Sequence, residues 1–464
     1  MNKFMVYSAL AVALIAEGAF FVPVCAQERV VHTMRLTTLY NLADQQSQKI
    51  RVSEAALQAA DEGVAAAKSA LLPSVDLSLQ GSYTGNAFML SRGFSGNGTT
   101  DYIVPGVGTV PVANGKQDTP HWGNSFTAQV SQVIYAGGAV RSGIRMAELG
   151  KEMAELDVEK NRQEVRFLLT GYYLDLCKLD NQIEVVRQNI ALTQKEIEQM
   201  KARRKEGTVL QNDITRYEFQ LQSLKLTLTK LTDASTVINH QLVTTLHLPE
   251  QTIIVPDKNE LDTEINALSA VTAQETWQQT AADNNLGIRQ ATVATNLAEQ
   301  KMKQIKAESL PSVAVVAENQ LYGPYTQDLI PKDCNVNVWF VGIGVKFSLG
   351  NLWKNKHNIR KARIEHRQSQ EALALAHEEV ENGVQASYTN LLTSCTEVKT
   401  QQKQVELANQ NYSVVQSRYQ NDLALLTDMV DASNMKLSAE MALVNARIGM
   451  LYNFYKLKYV TNTL

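Results

Sequence analysis

The feature that most constrains this chain is an internal repeat, because most of its segments occur twice. Leu72-Pro73-Ser74-Val75 recurs 238 residues later as Leu310-Pro311-Ser312-Val313. Further along, Ile144-Arg145-Met146-Ala147 matches Ile359-Arg360-Lys361-Ala362 at an offset of 215 residues. The chain has 464 residues, enough for two or three domains, but the repeat indicates two copies of one unit with loops of unequal length.

After the second motif, each copy has the heptad pattern of a coiled coil. Apolar or aromatic side chains alternate at steps of four and three from Val165 to Met200, with Thr193 as the one polar member. The equivalent seam in the second copy runs from Val380 to Val415. Such a narrow stripe predicts long packed helices. The first helix is expected from about Val140 to Glu206, roughly 100 Å at 1.5 Å per residue.

The helices end at recognisable breaks. Gly207 is expected to end the first long helix, and a second helix should follow from about Asn212 to Thr245. Asn421-Asp422 is the equivalent break in the second copy, with a helix from there to about Tyr459. Because proline ends helices, a further helix is predicted before each Leu-Pro-Ser-Val motif, over about Arg35–Ala70 and Thr272–Glu308.

Between the helices, two segments show the alternation of β-hairpins. In the first, Val75, Leu77 and Leu79 alternate with polar residues, and a return strand begins near Ser125 after a long Gly- and Thr-rich loop. Each arm is about ten residues, the length that crosses a bilayer as a tilted strand. Since the smallest membrane barrels have about eight strands, four strands predict that several copies share one barrel.

Aromatic residues cluster near the predicted strand ends. They could form the girdle that sits at a membrane interface, or they could be the core of a small sandwich. The long outer loops favour the girdle, whose candidates are Tyr83, Trp122, Tyr322, Trp339 and Phe340.

The N-terminal 26 residues have the pattern of a secretory signal, with Lys3, an apolar stretch and a small-residue site before Gln27. Acylation at Cys25 is the alternative reading of the same segment. The mature chain is then expected to consist of a first repeat (27–249), a linker (250–266) and a second repeat (267–464), which together form one channel protomer. Its three scattered cysteines are not a disulfide framework.

Charge and motifs exclude other classes. The formal net charge is −3, from 44 basic and 47 acidic residues, so nucleic acid is not an expected partner. The chain contains no phosphate-binding loop, His-Glu-x-x-His motif or nucleophile elbow, and its seven histidines are scattered. Neither an enzyme nor a cofactor or metal site is predicted. A periplasmic coiled-coil adaptor or scaffold would fit the heptads and the export signal, but not the four strands.

The end of the second repeat resembles the TolC-type outer-membrane efflux family. The similar stretches are Tyr419-Gln420-Asn421-Asp422, Thr427 to Ala432 and Ala442 to Arg447. The resemblance implies a mixed α+β membrane protein: a homotrimer with a shared outer-membrane β-barrel and a periplasmic α-barrel of long helices. It also implies location in the outer membrane of a Gram-negative bacterium, and docking to a periplasmic adaptor and an inner-membrane pump.

The same resemblance implies a gate. Asp428 and Asp431 match aspartates that ring the periplasmic mouth, and Tyr419 matches a residue that helps to close it. Three residues apart on a helix, the two carboxylates share a face, but a solvated helix-start pair would look the same. Ala424 stands where the family has a basic partner.

The two helix breaks match the tips where adaptor hairpins dock, although each break also reads as an ordinary turn. Asp422 replaces a glycine of the family pattern. The docking residues implied are Gly207, Thr208, Val209, Asp422 and Leu423.

Overall fold

The computed structural model describes residues from Val30 to Leu464 with several gaps. The described ranges are 30–85, 87–89, 99–104, 108–113, 115–117, 120–207, 209–257, 263, 265, 273–324, 333–421 and 423–464. The predicted signal segment with Cys25 lies outside them, as do Thr208 and Asp422.

Long helices dominate both repeats. The two longest, α3 (Ala139–Lys205) and α8 (Lys356–Gln420), have 67 and 65 residues, and each is followed by a helix of 35 residues. The predicted bounds of α3 are confirmed to within one residue. In chain order the helices are α1 Leu36–Gln46, α2 Gln48–Ser69, α3 Ala139–Lys205, α4 Gln211–Thr245, α5 Gln274–Asn284, α6 Leu286–Ala307, α7 Asn351–Lys354, α8 Lys356–Gln420 and α9 Leu426–Val460.

The helix expected before each Leu-Pro-Ser-Val motif is divided in two. Ser47 and Asn285 have extended backbones, with ψ of 123° and 125°, and they end one helix and begin the next. They are separated by the same 238 residues as the two motifs. The Asn285 carboxamide accepts hydrogen bonds from Gly287 N at 2.8 Å and Ile288 N at 3.3 Å, which caps the new helix. The prediction of single helices over 35–70 and 272–308 was therefore wrong.

The heptad seams form the core. Every predicted seam position between Val165 and Met200, and between Val380 and Val415, is buried or half-buried, as predicted. The largest apolar cluster joins α1, α3, α4, α8 and α9, with Tyr173 and Leu391 fully buried at its centre. Among the described residues, no helix is both long enough and apolar enough to cross a membrane.

A short parallel strand pair that the sequence did not reveal joins the repeats. Strand β1 (Val30–Met34) pairs with β8 (Thr252–Pro256), which lies in the segment expected to be a linker. Asn239 holds β8 on α4: its carboxamide donates to Thr252 O at 2.9 Å and accepts from Ile254 N at 2.8 Å. The link ties the start of the first repeat to the start of the second.

The hairpins combine into one antiparallel sheet. Its strands lie in the order β10 (Val336–Lys346), β9 (Ser312–Gly323), β7 (Trp122–Ala136) and β2 (Ser74–Tyr83), so the two hairpins meet along β7 and β9. Strands β2 and β10 are the edges, and among the described residues each has a single partner strand. The loop of the first hairpin also contains two short strand pairs where no strand was predicted. The strands are β2 Ser74–Tyr83, β3 Ala87–Met89, β4 Thr99–Val104, β5 Gly108–Ala113, β6 Gly115–Gln117, β7 Trp122–Ala136, β9 Ser312–Gly323 and β10 Val336–Lys346.

The register gives the sheet one apolar and one polar face. Leu77 is opposite Ala128, which is opposite Asn319, so these side chains point the same way. The apolar face continues through Val75, Leu79, Phe126, Val130, Val341, Ile343 and Val345. The other face carries the polar residues Asp76, Ser78, Gln80, Thr127, Gln129, Glu318 and Gln320, together with the apolar residues Val316, Val336, Val338 and Phe340. Apart from Gly323, no residue of these four strands is buried.

Gly137 fixes the junction between sheet and helices. Its φ is +62°, and a Cβ atom there would lie 2.8 Å from both Ala307 O and Leu310 Cβ. We expect Gly137→Ala to destabilise the fold by about 1–3 kcal/mol, because strain and overpacking add. Gly138→Ala is the matched control, since its φ is +91° but its Cβ would meet nothing within 4 Å. Thermal unfolding of the purified variants should show a clearly larger loss for Gly137→Ala.

Candidate functional site

The candidate gate lies at the tip, where each long helix turns back into its partner. Gly207, with φ of +81°, makes the turn between α3 and α4. Next to the turns, apolar side chains from α3, α4, α8 and α9 pack together in one cluster, so the turns of the two repeats lie side by side. This tip cluster consists of Ile197, Met200, Val209, Ile214, Tyr217, Tyr412, Leu426, Met429 and Ala432.

Asp428 acts on the backbone of its own helix. Its Oδ2 atom accepts a hydrogen bond from Leu425 N at 3.1 Å at the start of α9. Asp213, the equivalent residue of the first repeat, accepts from Leu210 N at 3.4 Å. Asp428 is nevertheless exposed to solvent as a residue. The structure thus gives Asp428 a capping role, which is compatible with a further role at a pore.

Asp431 lies one turn further along α9 and is also exposed. It lines a groove of about 550 Å³ between α4 and α9 together with Arg216, Phe219 and Val430. The Phe219 side chain is 78% exposed. Two carboxylates therefore stand on successive turns of one helix face, with an uncovered groove beside the second.

The Tyr419 ring is in contact with a cationic side chain of the first repeat. The Arg203 guanidinium carbon lies 5.8 Å from the centre of the Tyr419 ring, within the range of a cation–π contact. Arg203 is on α3, so this contact links the end of α3 to the end of α8. The neighbouring Arg418 donates from Nη2 to Leu423 O at 3.4 Å. A basic partner for the tip is thus present near Tyr419 even though Ala424 is not basic.

Of the predicted docking residues, the structure describes Gly207, Val209 and Leu423, and these three are not all exposed. Gly207 and Leu423 are exposed, with Leu423 at 68%, but Val209 is buried in the tip cluster. The Val209 side chain packs inside the tip and offers no surface to a partner. Two apolar residues that were not predicted, Leu210 and Leu425, are 72% and 70% exposed at the same level.

A buried carboxylate, which sequence reasoning missed, lies beneath the tip. Glu196 is 6% exposed and accepts a hydrogen bond from Gln416 Nε2 at 2.7 Å. Burial and the Glu196 charge raise the pKa of Tyr412 to about 12, and the same two causes raise the pKa of Tyr217. Lys436 Nζ lies 5.0 Å from the Tyr412 ring centre. The signal in the sequence was a glutamate one step from a heptad seam.

Glu196 belongs to a polar series on α3. Gln182, Asn189 and Glu196 are spaced by seven residues and are all buried. Gln182 Nε2 donates to Asn445 Oδ1 at 2.7 Å, and Asn189 Nδ2 donates to Glu440 Oε2 at 3.2 Å. Because a buried polar group is costly without its partner, these pairs favour one register between α3 and its neighbours.

Tyr217 has a buried hydroxyl that makes no hydrogen bond with any residue that the structure describes. Tyr217→Phe is therefore expected to leave the stability unchanged or to raise it by about 1 kcal/mol. Tyr173→Phe is the matched control, because the Tyr173 hydroxyl donates to Met34 O at 3.2 Å and accepts from Asp257 N at 3.1 Å. That change should cost about 1–3 kcal/mol. Thermal melts of the two variants would contradict this if their order were reversed.

The five girdle candidates divide between the two faces of the sheet. Tyr83 is opposite Trp122, and both lie on the apolar face with Trp339. Tyr322 and Phe340 pair with residues of the polar face and point the other way. Because successive side chains of a strand point to opposite faces, aromatic residues that are close in sequence do not all lie in one girdle on one face of the sheet.

Within the described ranges, no group of three or more His, Cys, Asp or Glu residues could hold a metal ion. The chemistry of the tip consists of exposed carboxylates, cation–π contacts and uncovered leucines. Two long helical hairpins, an open sheet with one apolar face and a charged tip define the class of protein: an outer-membrane channel protomer.

The chain belongs to the outer membrane efflux protein family, whose sequence profile matches residues 39–246 and 277–462. It is 21% identical to outer membrane protein TolC of Salmonella enteritidis over 435 residues, covering 92% of this chain and 82% of that protein. This family consists of passive channels of the Gram-negative outer membrane that extend into the periplasm, not of enzymes.

Solved structures show the same fold. The outer membrane protein VceC of Vibrio cholerae superposes with a TM-score of 0.70 at 15% identity, covering 92% of this chain and 95% of that one. The open state of the MtrE channel of Neisseria gonorrhoeae gives 0.69 at 16% identity, covering 92% and 88%. The expectation of a TolC-type fold is confirmed.

Proposed function

We propose that three copies of this chain form the outer-membrane channel of a tripartite efflux or type I secretion system. The channel is a passive conduit across the periplasm for substrates delivered by an inner-membrane pump, and it is gated at its periplasmic end. Channels of the family are trimers that work with an adaptor and a pump. The boundaries of the repeats and the signal segment remain predictions.

The observation that carries the proposal is the four-stranded sheet. It has an apolar face for lipid, a polar face for a water-filled lumen and two open edges, β2 and β10. Three copies would contribute twelve strands, which is enough to close a barrel without an edge. Tyr83, Trp122 and Trp339 are the girdle residues of this arrangement, and Tyr322 and Phe340 face its lumen.

We assign the gate to Asp428, Asp431 and Tyr419. In a trimer the two aspartates supply six carboxylates around one axis, which favours cations. Arg203 and Tyr419 hold the ends of α3 and α8 together and so help to keep the mouth closed. We assign the docking site of the adaptor to the exposed tip residues Gly207 and Leu423, together with the neighbouring Leu210 and Leu425.

An adaptor or scaffold does not account for the sheet, and family membership supports a channel. The test is to purify the full-length protein from outer membranes in detergent, measure its mass by light scattering, and record single channels in a planar bilayer. We expect a trimer that conducts. A monomer, or a trimer that never conducts even with α9 tip substitutions, would contradict the proposal.

A further inference from the structure

The junction between strands and helices carries an exposed apolar band that the channel function does not require. Seven side chains from both repeats are between 46% and 67% exposed there. In the sequence they lie at or next to the helix-side ends of the four long strands. This junction band consists of Leu71, Leu72, Ile134, Leu310, Leu349, Leu352 and Trp353.

The one-turn helix α7 holds part of this band outward. Asn351 Nδ2 donates to Glu308 O at 3.0 Å, and Asn355 Nδ2 donates to Ile305 O at 2.8 Å. Both bonds fix α7 to the end of α6. Leu352 and Trp353 lie between the two anchors and are exposed, so their position is set by the fold. A fixed, exposed tryptophan is typical of membrane interfaces.

A basic groove lies beside the junction band. This junction groove, of about 500 Å³, is lined by Arg141, Arg145, Lys303 and Lys306 and by no acidic residue. Arg145 pairs with Glu148 at 3.0 Å, and Lys303 pairs with Glu299 at 2.9 Å. In the described part of the chain, Arg141 and Lys306 have no ion-pair partner. Four cations thus converge in a chain whose net charge is −3.

The second repeat also has a cluster of basic residues just after its last strand. Arg360 is the repeat equivalent of Arg145, within the Ile-Arg-x-Ala motif that both copies share. Lys354, Lys356, Arg360 and Lys361 are all exposed, and no acidic residue occurs from Lys354 to Arg363. The shared motif therefore marks a basic level just past the ends of the strands in both repeats.

We propose that the junction groove binds the phosphate of an anionic phospholipid of the periplasmic leaflet, while the junction band contacts its acyl chains. This rests on the proposed function, which puts the helix-side strand ends at that leaflet. Arginine and lysine bind phosphate through charge-assisted hydrogen bonds. A lipid can pair its phosphate with the cations and cover the junction band with its acyl chains, whereas a free phosphate can only pair with the cations. Each cation near the membrane surface is expected to change affinity about fivefold.

The test compares three full-length proteins by native mass spectrometry from mixed micelles containing phosphatidylglycerol or phosphatidylcholine. The groove variant carries Arg141→Gln, Arg145→Gln, Lys303→Gln and Lys306→Gln. The control variant carries Lys225→Gln, Lys230→Gln, Lys399→Gln and Lys403→Gln, four exposed cations of helices α4 and α8. The wild type and the control should retain phosphatidylglycerol over phosphatidylcholine, and the groove variant should lose that preference by at least tenfold.

A preference that survives in the groove variant overturns the proposal, as does equal loss in the control. Displacement of the lipid by an equimolar amount of inorganic phosphate would also overturn it, because it would show a site for small anions. Trp353→Ala separates the apolar contribution and should weaken retention of both lipids. Trimer mass and conductance, measured on the same variants, should stay unchanged, so a failed lipid site is distinguishable from a failed channel assignment.

Discussion

Replacing Leu77 by arginine is expected to remove most of the trimer from the outer membrane, whereas Ser78→Arg should leave it in place. The two residues are neighbours near the middle of β2 but project from opposite faces of the sheet. Leu77 lies on the apolar face and would place a cation in lipid, at about 2–4 kcal/mol per copy near the bilayer midplane. An arginine at Ser78 would project into the polar lumen, where water solvates it.

The measurement is the amount of heat-resistant trimer in the outer-membrane fraction after density separation. Because both changes add the same side chain to the same strand, effects on β propensity are matched. Equal losses from the two substitutions would contradict the assignment of the faces. Loss confined to Ser78→Arg would reverse it.

Removing the two tip carboxylates is expected to lower the cation-to-anion permeability ratio several-fold, toward a neutral pore. Asparagine is the appropriate substitute, because Asp428 caps the start of α9 through Leu425 N. Asp428→Asn keeps an oxygen acceptor for that bond, whereas alanine would add a capping loss of about 1 kcal/mol. The doubly substituted channel, Asp428→Asn with Asp431→Asn, would be compared with wild type in a planar bilayer under a salt gradient.

The matched control is Glu275→Gln with Asp283→Asn, which removes two exposed charges per copy from α5. Its net charge equals that of the double tip variant. If the control lowered selectivity as much as the tip variant, the effect would come from overall charge and the ring assignment would be wrong. If neither changed it, the constriction would lie elsewhere.

The periodic parts of this fold could be predicted from the sequence. The seam from Val165 to Met200 predicted the long helix α3, because eleven positions repeat one pattern and long regular patterns are the most reliable signals. The division at Ser47 and Asn285 could not be seen, since a single extended residue leaves the apolar pattern on either side intact. Strand β1 is five residues long, too short for alternation to show.

At the tip, the sequence supplied candidate residues but not the groups that they contact. Asp428 and Tyr419 were found by their motif, while Arg203 lay 216 residues away from Tyr419 with no signal to connect them. Val209 was named as a docking residue by resemblance to the family, but its side chain packs inward with Ile214. Contacts between repeats depend on how the two copies fold onto each other, which a single sequence does not state.

The open edges of the sheet also have a consequence for a copy of the chain that has not yet assembled. Each copy leaves two strands, of 10 and 11 residues, with unpaired backbone groups along one side. Such edges pair readily with any extended chain, and the apolar face of the sheet is uncovered as well. A single copy is therefore expected to be prone to aggregation before it assembles into the proposed trimer. We therefore expect the hairpins to be the part of an unassembled copy that most needs shielding from other chains.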